Sequence, residues 1–322
     1  MSQSQTVHTY VDKIYVTSVS LVPGKKWVIV GGTDFMTKSV KTSPPNVGTT
    51  STFVGHTDKV NSVCVTGTHL VSGSADKTIK VWTANPNMCL QTLEGHRGEV
   101  SSVCVSPDGK RLYSGSYDMT IGVWENKETN GKKKWALLGY MQGHTGPVNS
   151  VCLSANGSRL FSGSADNTIK VWDVATGACV QTLKGHVGQV YSVCASADGS
   201  MLFSGSADTD IKVWLPSGEC VKTLSGHTGP VNSVMFLNEK FLCSGSEDSA
   251  IRVWDVLSGE CLRTLTDHTG PVTSLCGTGN VLFSASKDQD VRMWSTVGFG
   301  EATTRARRRA GGRTGGRLKL RF

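Results

Sequence analysis

The chain has 322 residues, 38% of them hydrophobic and 18% charged, which is typical of a soluble globular protein with enough apolar residues to form a core. No apolar run approaches the roughly 18 residues of a membrane-spanning helix, and the first ten residues lack the basic and apolar segments of a secretory signal, so we expect a cytoplasmic or nuclear protein without a membrane partner. Of the net charge of +8, seven charges come from residues 295–322, so electrostatic binding of a polyanion would have to use this tail.

The N-terminal region contains a weak copy of a pattern that recurs later. Residues 16–41 align with residues 100–125 and keep an aspartate, Asp34. Val30 stands where the later segment has Ser, and Val40 stands where it has Trp. We therefore interpret this region as a degenerate first repeat.

From residue 55 to residue 294 the chain repeats a unit of 40 to 48 residues. Gly-His, or Asp-His in the last copy, begins at residues 55, 95, 143, 185, 226 and 267. Each copy continues with an apolar run such as VNSVCV, a second run with Ser-Gly-Ser, a turn with Asp, a third run that ends in Trp, and a fourth run such as CVQTL. Four short β-rich runs without 3.6-residue periodicity predict one four-stranded antiparallel sheet per copy.

A ring of such sheets buries the faces that one sheet alone would expose, so the repeats predict a β-propeller. The order Gly-His, Ser-Gly-Ser, Asp and Trp-Asp resembles the WD40 repeat, and the resemblance covers residues 6–295. With the degenerate first repeat it implies an all-β, seven-bladed propeller. It also implies that the run TVHTY at residues 6–10 completes the last blade. We therefore expect a propeller over residues 1–295 and a flexible, basic Arg/Gly-rich tail over residues 296–322.

The resemblance also implies a hydrogen-bonded set of Trp, Ser, His and Asp in each complete repeat. Indole is only a donor, a hydroxyl can accept from it and donate to imidazole, and the other ring nitrogen can donate to a carboxylate. The six expected sets are His56, Ser72, Asp76 and Trp82; His96, Ser114, Asp118 and Trp124; His144, Ser162, Asp166 and Trp172; His186, Ser204, Asp208 and Trp214; His227, Ser244, Asp248 and Trp254; and His268, Ser284, Asp288 and Trp294.

These residue types also compose hydrolase triads, but the pattern disfavours catalysis. A triad occurs once per active site and needs an exposed nucleophile, whereas here the serine lies in mid-strand in six copies. No phosphate-binding loop precedes a predicted helix. We therefore expect no enzyme, no cofactor, no metal and no small-molecule substrate.

The ten cysteines occupy recurring slots. Five follow Ser-Val or Ser-Leu in the first run, four begin the fourth run, and Cys243 stands apart. Because equivalent slots of different blades lie far apart, we interpret them as small buried hydrophobic residues in a reducing compartment.

The expected function is that of a scaffold or adaptor whose loops bind other proteins in a multi-subunit assembly. In the family, partners commonly dock on the face with the Gly-His loops and the Asp turns. Tyr117 and Tyr191 are the expected anchors because aromatic residues dominate interface energetics. The candidate partner-binding residues are Lys59, Lys77, Glu99, Tyr117, Gln189, Tyr191, Glu247 and Lys287.

One repeat is longer than the others because of residues 125–142. We expect a tolerated loop insertion, although the three lysines at 132–134 followed by Trp135 could contact an acidic or nucleic-acid partner. The segment from Trp124 to Lys127 loosely resembles the Trp-Asp-x-Arg box of WD40 substrate receptors for cullin-type ubiquitin ligases, with Glu and Lys in place of Asp and Arg. A ubiquitin-ligase receptor is therefore one alternative function.

The tail offers a second alternative, an RNA- or ribosome-associated protein. Arginine interspersed with glycine suits flexible binding of phosphates without sequence preference. A localisation signal or an unrelated appended sequence would have the same composition. The candidate nucleic-acid-binding residues are Arg305, Arg307, Arg308, Arg309, Arg313, Arg317, Lys319 and Arg321.

Overall fold

Seven four-stranded antiparallel sheets make up the part of the protein that the computed structural model describes. This part comprises residues 4–7, 15–22, 27–41, 48–66, 69–84, 87–129, 132–237, 240–297 and 299. Within these ranges, no helix is long and apolar enough to cross a membrane. The predicted all-β fold, a seven-bladed propeller, is confirmed.

Each sheet is one blade, and the strands of a blade follow one another in chain order from the inner to the outer edge of the ring. Blades 1 to 3 contain β2 (Val16–Leu21), β3 (Trp27–Gly32), β4 (Thr37–Lys41) and β5 (Gly48–Phe53); β6 (Val60–Thr66), β7 (His69–Ser74), β8 (Ile79–Ala84) and β9 (Asn87–Leu93); and β10 (Val100–Val105), β11 (Arg111–Ser116), β12 (Ile121–Thr129) and β13 (Lys132–Met141). Blades 4 to 6 contain β14 (Val148–Leu153), β15 (Arg159–Ser164), β16 (Ile169–Asp173) and β17 (Cys179–Leu183); β18 (Val190–Ala195), β19 (Leu202–Ser206), β20 (Ile211–Trp214) and β21 (Cys220–Leu224); and β22 (Val231–Leu237), β23 (Phe241–Ser246), β24 (Ile251–Asp255) and β25 (Cys261–Leu265).

Blade 7 combines strands from both ends of the chain. Its inner three strands are β26 (Val272–Thr278), β27 (Val281–Ser286) and β28 (Val291–Ser295), and its outermost strand is β1 (Ser4–Val7). The strand β1 pairs antiparallel with β28, with Ser4 opposite Trp294 and Val7 opposite Val291. The run expected at residues 6–10 is thus described only as far as Val7.

The chain remains packed for a few residues beyond the expected domain boundary at residue 295. The Thr296 N–H donates to the Asn280 carbonyl at 2.9 Å. Phe299 is buried and contacts Phe241 edge-on, with ring centroids 6.4 Å apart. The eight basic residues proposed for nucleic-acid binding lie outside the described residues.

The insertion in blade 3 is a β-hairpin, so the expectation of a loop was wrong. Its two outer strands, β12 and β13, continue pairing to Thr129 opposite Lys132. Trp135 on this hairpin is buried rather than available to a partner, and its backbone N–H and C=O both bond to the Gln91 side-chain amide of blade 2, at 2.9 and 2.7 Å. The longer strands therefore extend the contact between blades 2 and 3.

The hydrophobic core lies between blades. One cluster combines Ile169, Val171 and Leu183 of blade 4 with Val190 and Trp214 of blade 5, and similar clusters occupy the other junctions. Alternate residues of a strand point to opposite faces, so each sheet contributes one face to each of two clusters. The stability of one blade therefore depends on the presence of its neighbours.

The glycine of Ser-Gly-Ser allows the next blade to approach closely. A Cβ placed on Gly163 would lie 2.6 Å from Val190 Cγ1 of the following blade, and one on Gly245 would lie 2.5 Å from Val272 Cγ1. These distances are too short for non-bonded carbon atoms, so a larger residue would push the two blades apart.

Seven serine hydroxyls join the innermost strands into a closed ring of hydrogen bonds. In every blade, the serine of the first run accepts the backbone N–H of the next blade's innermost strand at 3.0–3.2 Å. The serines are Ser18, Ser62, Ser102, Ser150, Ser192, Ser233 and Ser274, and the last of these accepts the N–H of Val19, which closes the ring between blades 7 and 1. A register shift precedes each of these serines and orients its strand for this bond.

We predict that Ser233→Ala lowers the free energy of unfolding by about 1–3 kcal/mol, because it removes the acceptor of the buried Leu275 N–H. Urea unfolding checks this. The control is Ser158→Ala, at an exposed turn, with an expected change within about 0.5 kcal/mol. A decrease for Ser233→Ala that is no larger than the change for the control would show that this serine bond contributes nothing to stability.

Candidate functional site

All six sets of Trp, Ser, His and Asp are joined by hydrogen bonds. In blade 4 the Trp172 indole N–H donates to Ser162 Oγ at 2.8 Å, and Ser162 Oγ lies 2.7 Å from His144 Nε2. His144 Nδ1 lies 2.7 Å from Asp166 Oδ2. The other five sets repeat these distances to within 0.1 Å. The network ties the loop that precedes each innermost strand to the turn between the second and third strands.

Burial and hydrogen bonding fix the protonation state of the network. Burial lowers the pKa of His144, His186 and His227, although the aspartate beside each ring opposes this shift. Burial alone would raise the pKa of Asp166, but hydrogen bonds from Thr168, His144 and the Thr145 N–H outweigh it and lower the pKa to about 2. In these three sets a neutral imidazole therefore donates from Nδ1 to the carboxylate and accepts the serine proton at Nε2.

The serine hydroxyls of these sets are fully used inside the blades. All six have no exposed surface, and each accepts from an indole N–H and lies 2.7–2.8 Å from a histidine Nε2. A nucleophile must reach its substrate, which these buried oxygens do not. The Ser, His and Asp residues therefore serve to hold strands and loops together.

Blade 1 replaces this network with a buried ion pair that the sequence alone did not reveal. Val40 occupies the tryptophan slot opposite Val28, and Val30 occupies the serine slot opposite Lys38. The Lys38 ammonium is buried and bonds to the Asp34 carboxylate, the one member of the network that blade 1 retains. The signal available in the sequence was a lysine facing the slot that had lost its serine.

The cysteine expectation was wrong in part. Cys179, Cys220 and Cys261 begin outermost strands and are exposed. By contrast, burial raises the pKa of Cys152 on an innermost strand, and Cys243 is buried with its pKa raised to about 12. Across the described ranges, no three His, Cys, Asp or Glu side chains are grouped so as to hold a metal ion.

The proposed partner-binding residues lie on one propeller face, at its inner rim, where the loops before the innermost strands meet the Asp turns. Lys77 and Gln189 are at the turns and loops of this face, Lys77 with a positive φ of 70° in the Asp turn. Lys287 of blade 7 forms an ion pair with Glu247 of blade 6 at 3.2 Å.

Four of these residues lie within electrostatic range of Tyr117 or are Tyr117 itself, and we call this group the rim patch: Lys59, Glu99, Tyr117 and Tyr191. Lys59 and Glu99 form an ion pair at 3.1 Å between blades 2 and 3. The Tyr117 side chain is 47% exposed. Burial and the Glu99 carboxylate raise the pKa of the Tyr117 phenol, Lys59 opposes this shift, and Tyr191 adds to it, so all three neighbours lie within electrostatic range of Tyr117.

Tyr191 interrupts a second set of bonds between blades. In six blades the residue before the ring serine bonds through its side chain to a carbonyl of the next innermost strand, as Asn149 Nδ2 does to Val190 O at 3.0 Å. At the junction of blades 5 and 6 this slot holds Tyr191, which makes no such bond to Val231 within the described part of the chain. The sequence named Tyr191 as an aromatic residue but did not show that it replaces a structural donor.

Lys127, the basic residue of the box that resembles a ubiquitin-ligase contact, lies on the extended hairpin of blade 3. Its side chain is 59% exposed and pairs with Glu125 at 3.0 Å. The structure therefore places it away from the rim patch.

We predict that stability decreases in acid in two steps. The three histidines with lowered pKa bind a proton more readily when unfolded, so their contribution is complete above about pH 6.5 and is lost as the pH falls below that value. Asp166 and Asp288 have pKa values lowered to about 2 from 3.8, so their contribution is lost between these values. Urea unfolding from pH 8 to pH 3 checks this; a free energy that stays constant or rises from pH 7 to pH 5 would contradict it.

Comparison with known proteins agrees with this geometry. The family model for the WD domain, G-beta repeat, matches residues 48–83, 87–125, 135–173, 177–214, 218–255 and 259–295. The nuclear distribution protein PAC1 of Arthroderma benhamiae is 36% identical over 99 residues, which cover 28% of this chain and 22% of that protein. The cell division control protein 4 of Candida albicans is 39% identical over 87 residues, which cover 27% of this chain and 12% of that protein. The chain thus matches less than a quarter of the length of these relatives, but the repeats cover most of the chain itself, and it belongs to the WD40-repeat family.

Proposed function

We propose that the protein is a non-catalytic scaffold that assembles other proteins in the cytoplasm or nucleus, and that the rim patch is its principal docking surface. The observation that carries this proposal is Tyr191. A polar residue that elsewhere joins two blades is replaced by an aromatic side chain within electrostatic range of Tyr117, at the cost of one bond between blades. Residues that depart from a structural rule without a structural gain are candidates for function.

The chemistry of the rim patch supports protein binding. Tyr117 occupies a position at which three other blades have alanine, namely Ala75, Ala165 and Ala207. Tyrosine supplies a large contact area with few rotatable bonds and a hydroxyl for a hydrogen bond, and it is enriched at interface hot spots. The flanking Lys59–Glu99 pair is internally neutralised, so the patch favours a partner with an apolar or aromatic contact surface over a polyanion.

The charge distribution and the relatives support the same class of function. The propeller is nearly neutral because the tail contains most of the net charge, so long-range attraction to nucleic acid does not favour its rim. The names of the relatives refer to cellular processes, nuclear distribution and cell division control, and do not name a catalysed reaction.

The basic tail supports a second proposal, contact with RNA or the ribosome through Arg305 and the seven basic residues that follow it. RNase-sensitive co-sedimentation that is lost when residues 301–322 are removed would favour this function. The ubiquitin-ligase alternative instead predicts a copurifying cullin adaptor that is lost with Lys127→Glu.

We predict that the double substitution Tyr117→Ala and Tyr191→Asn removes copurifying proteins without loss of stability. Alanine and asparagine are the residues of other blades at these positions, and the introduced asparagine would regain the bond between blades. Each lost anchor is expected to weaken binding by about 2 kcal/mol, or about 30-fold. Affinity purification with mass spectrometry measures this, alongside thermal unfolding.

The control is Leu257→Ala, which removes a 79% exposed apolar side chain from a turn on the opposite face. It is expected to retain the partners. An unchanged set of partners in the double variant would show that the rim patch is not the docking surface.

A further inference from the structure

Blade 3 lacks a cation that the third strand of every other blade contains. Gly122 occupies a slot that is filled by Lys38, Lys80, Lys170, Lys212, Arg252 and Arg292 in the other blades. In blades 2, 4 and 5 the lysine ammonium donates to a threonine hydroxyl of the outermost strand at 2.8–3.0 Å. The aliphatic part of each of these three lysines packs beside the Gly-His loop. At Gly122 neither the ammonium nor its carbon chain is present.

A cleft of about 300 Å³ lies beside the Gly-His loop of blade 3 at the outer edge of the same face, and it shares no lining residue with the rim patch. Its lining residues are Gly95, Arg97, Asp118, Thr120, Tyr140 and Gln142. Tyr140 stands in the slot of the threonine and forms one wall: its hydroxyl donates to the Gly95 carbonyl at 2.6 Å, and its ring meets His96 edge-on at 5.7 Å. The wall is therefore held in place by bonds within blade 3.

The cleft offers a hydrogen-bond donor and no free carboxylate acceptor. Both oxygens of Asp118 accept two bonds each, from His96 Nδ1 and the Arg97 N–H and from the Thr120 N–H and hydroxyl. The Arg97 guanidinium forms no ion pair with any described residue. The other complete repeats have threonine or valine at this loop position. Blade 3 therefore has a cation in the loop, Arg97, and none in the strand slot that Gly122 occupies.

We infer that this cleft binds the carboxylate side chain of an aspartate or glutamate in a partner polypeptide. Guanidinium presents a planar fork that matches a carboxylate, whereas a lysine or arginine of a partner would be repelled by Arg97. Leu137 is exposed and its Cδ2 lies beside Gly95, so an apolar residue near the acidic one would find a contact surface. This site extends beyond the rim patch and does not depend on it.

The probe is the peptide N-acetyl-Leu-Gly-Glu-amide, compared with its glutamine and lysine counterparts. In an NMR titration of the full chain we expect shifts of the Arg97, Thr120 and Gln142 signals, and a Kd for the glutamate peptide at least about fivefold lower than for the glutamine peptide, because a hydrogen bond to a charged group is the stronger one. Equal affinities for the glutamate and glutamine peptides, or tighter binding of the lysine peptide, would overturn the inference.

Two substitutions test the residues directly. Arg97→Thr restores the residue of other blades and is expected to raise the Kd of the glutamate peptide at least about fivefold, whereas Lys184→Thr, an exposed lysine of blade 4, leaves it unchanged. Gly122→Lys is expected to fill the cleft and abolish binding. A Cβ at Gly122 would lie 2.7 Å from Ser114 Oγ, so thermal unfolding checks that the Gly122→Lys variant folds. If that variant is unfolded, the Arg97→Thr variant alone decides the outcome. Binding that survives Arg97→Thr would contradict the inference.

Discussion

The structure depends on the closure of the ring at the junctions between blades. A four-stranded sheet has two apolar faces, and here the adjacent blades cover them. Two features set the spacing at the junctions. A glycine lets a valine of the next blade approach at six of the seven junctions, and Ala285 takes its place in blade 7. A serine hydroxyl accepts a backbone N–H across every junction. Because the serine bonds continue from blade 7 to blade 1, the ring is closed at its inner edge as well as through the strand β1.

The Trp, Ser, His and Asp network has a different task within this frame. It lies inside each of blades 2 to 7 and connects the indole of the third strand to the loop and turn of one propeller face. In blade 1 the Lys38–Asp34 pair instead connects the third strand to the turn that precedes it. With the loops fixed in this way, a change of residue type on the face alters what the protein can bind without altering its backbone. We propose that Tyr191 in the rim patch and Gly122 with Arg97 at the cleft are such changes.

The sequence predicted the strands and side-chain contacts within each repeat, but it did not predict the contacts between neighbouring repeats. The order of runs and turns predicted four strands per blade, and the donor and acceptor properties of Trp, Ser, His and Asp predicted which side chains would meet. The bond from Val151 to Ser102 joins residues 49 apart, and nothing in either run indicates that geometry. Likewise, Cys179 and Cys152 are equally regular in the sequence, but one lies on an outermost strand and the other on an innermost strand. Trp135 was misplaced because an insertion that lengthens two paired strands has the same length as one that lengthens a loop.

Native-state hydrogen exchange of the seven amides that donate to the ring serines tests closure most directly. These are the N–H groups of Val19, Val63, Val103, Val151, Val193, Val234 and Leu275. If every blade depends on both neighbours, all seven should exchange only through global unfolding, with one common free energy and one dependence on urea. Exchange of one junction at a markedly lower free energy, while the others remain protected, would show that the blades are stable without a closed ring.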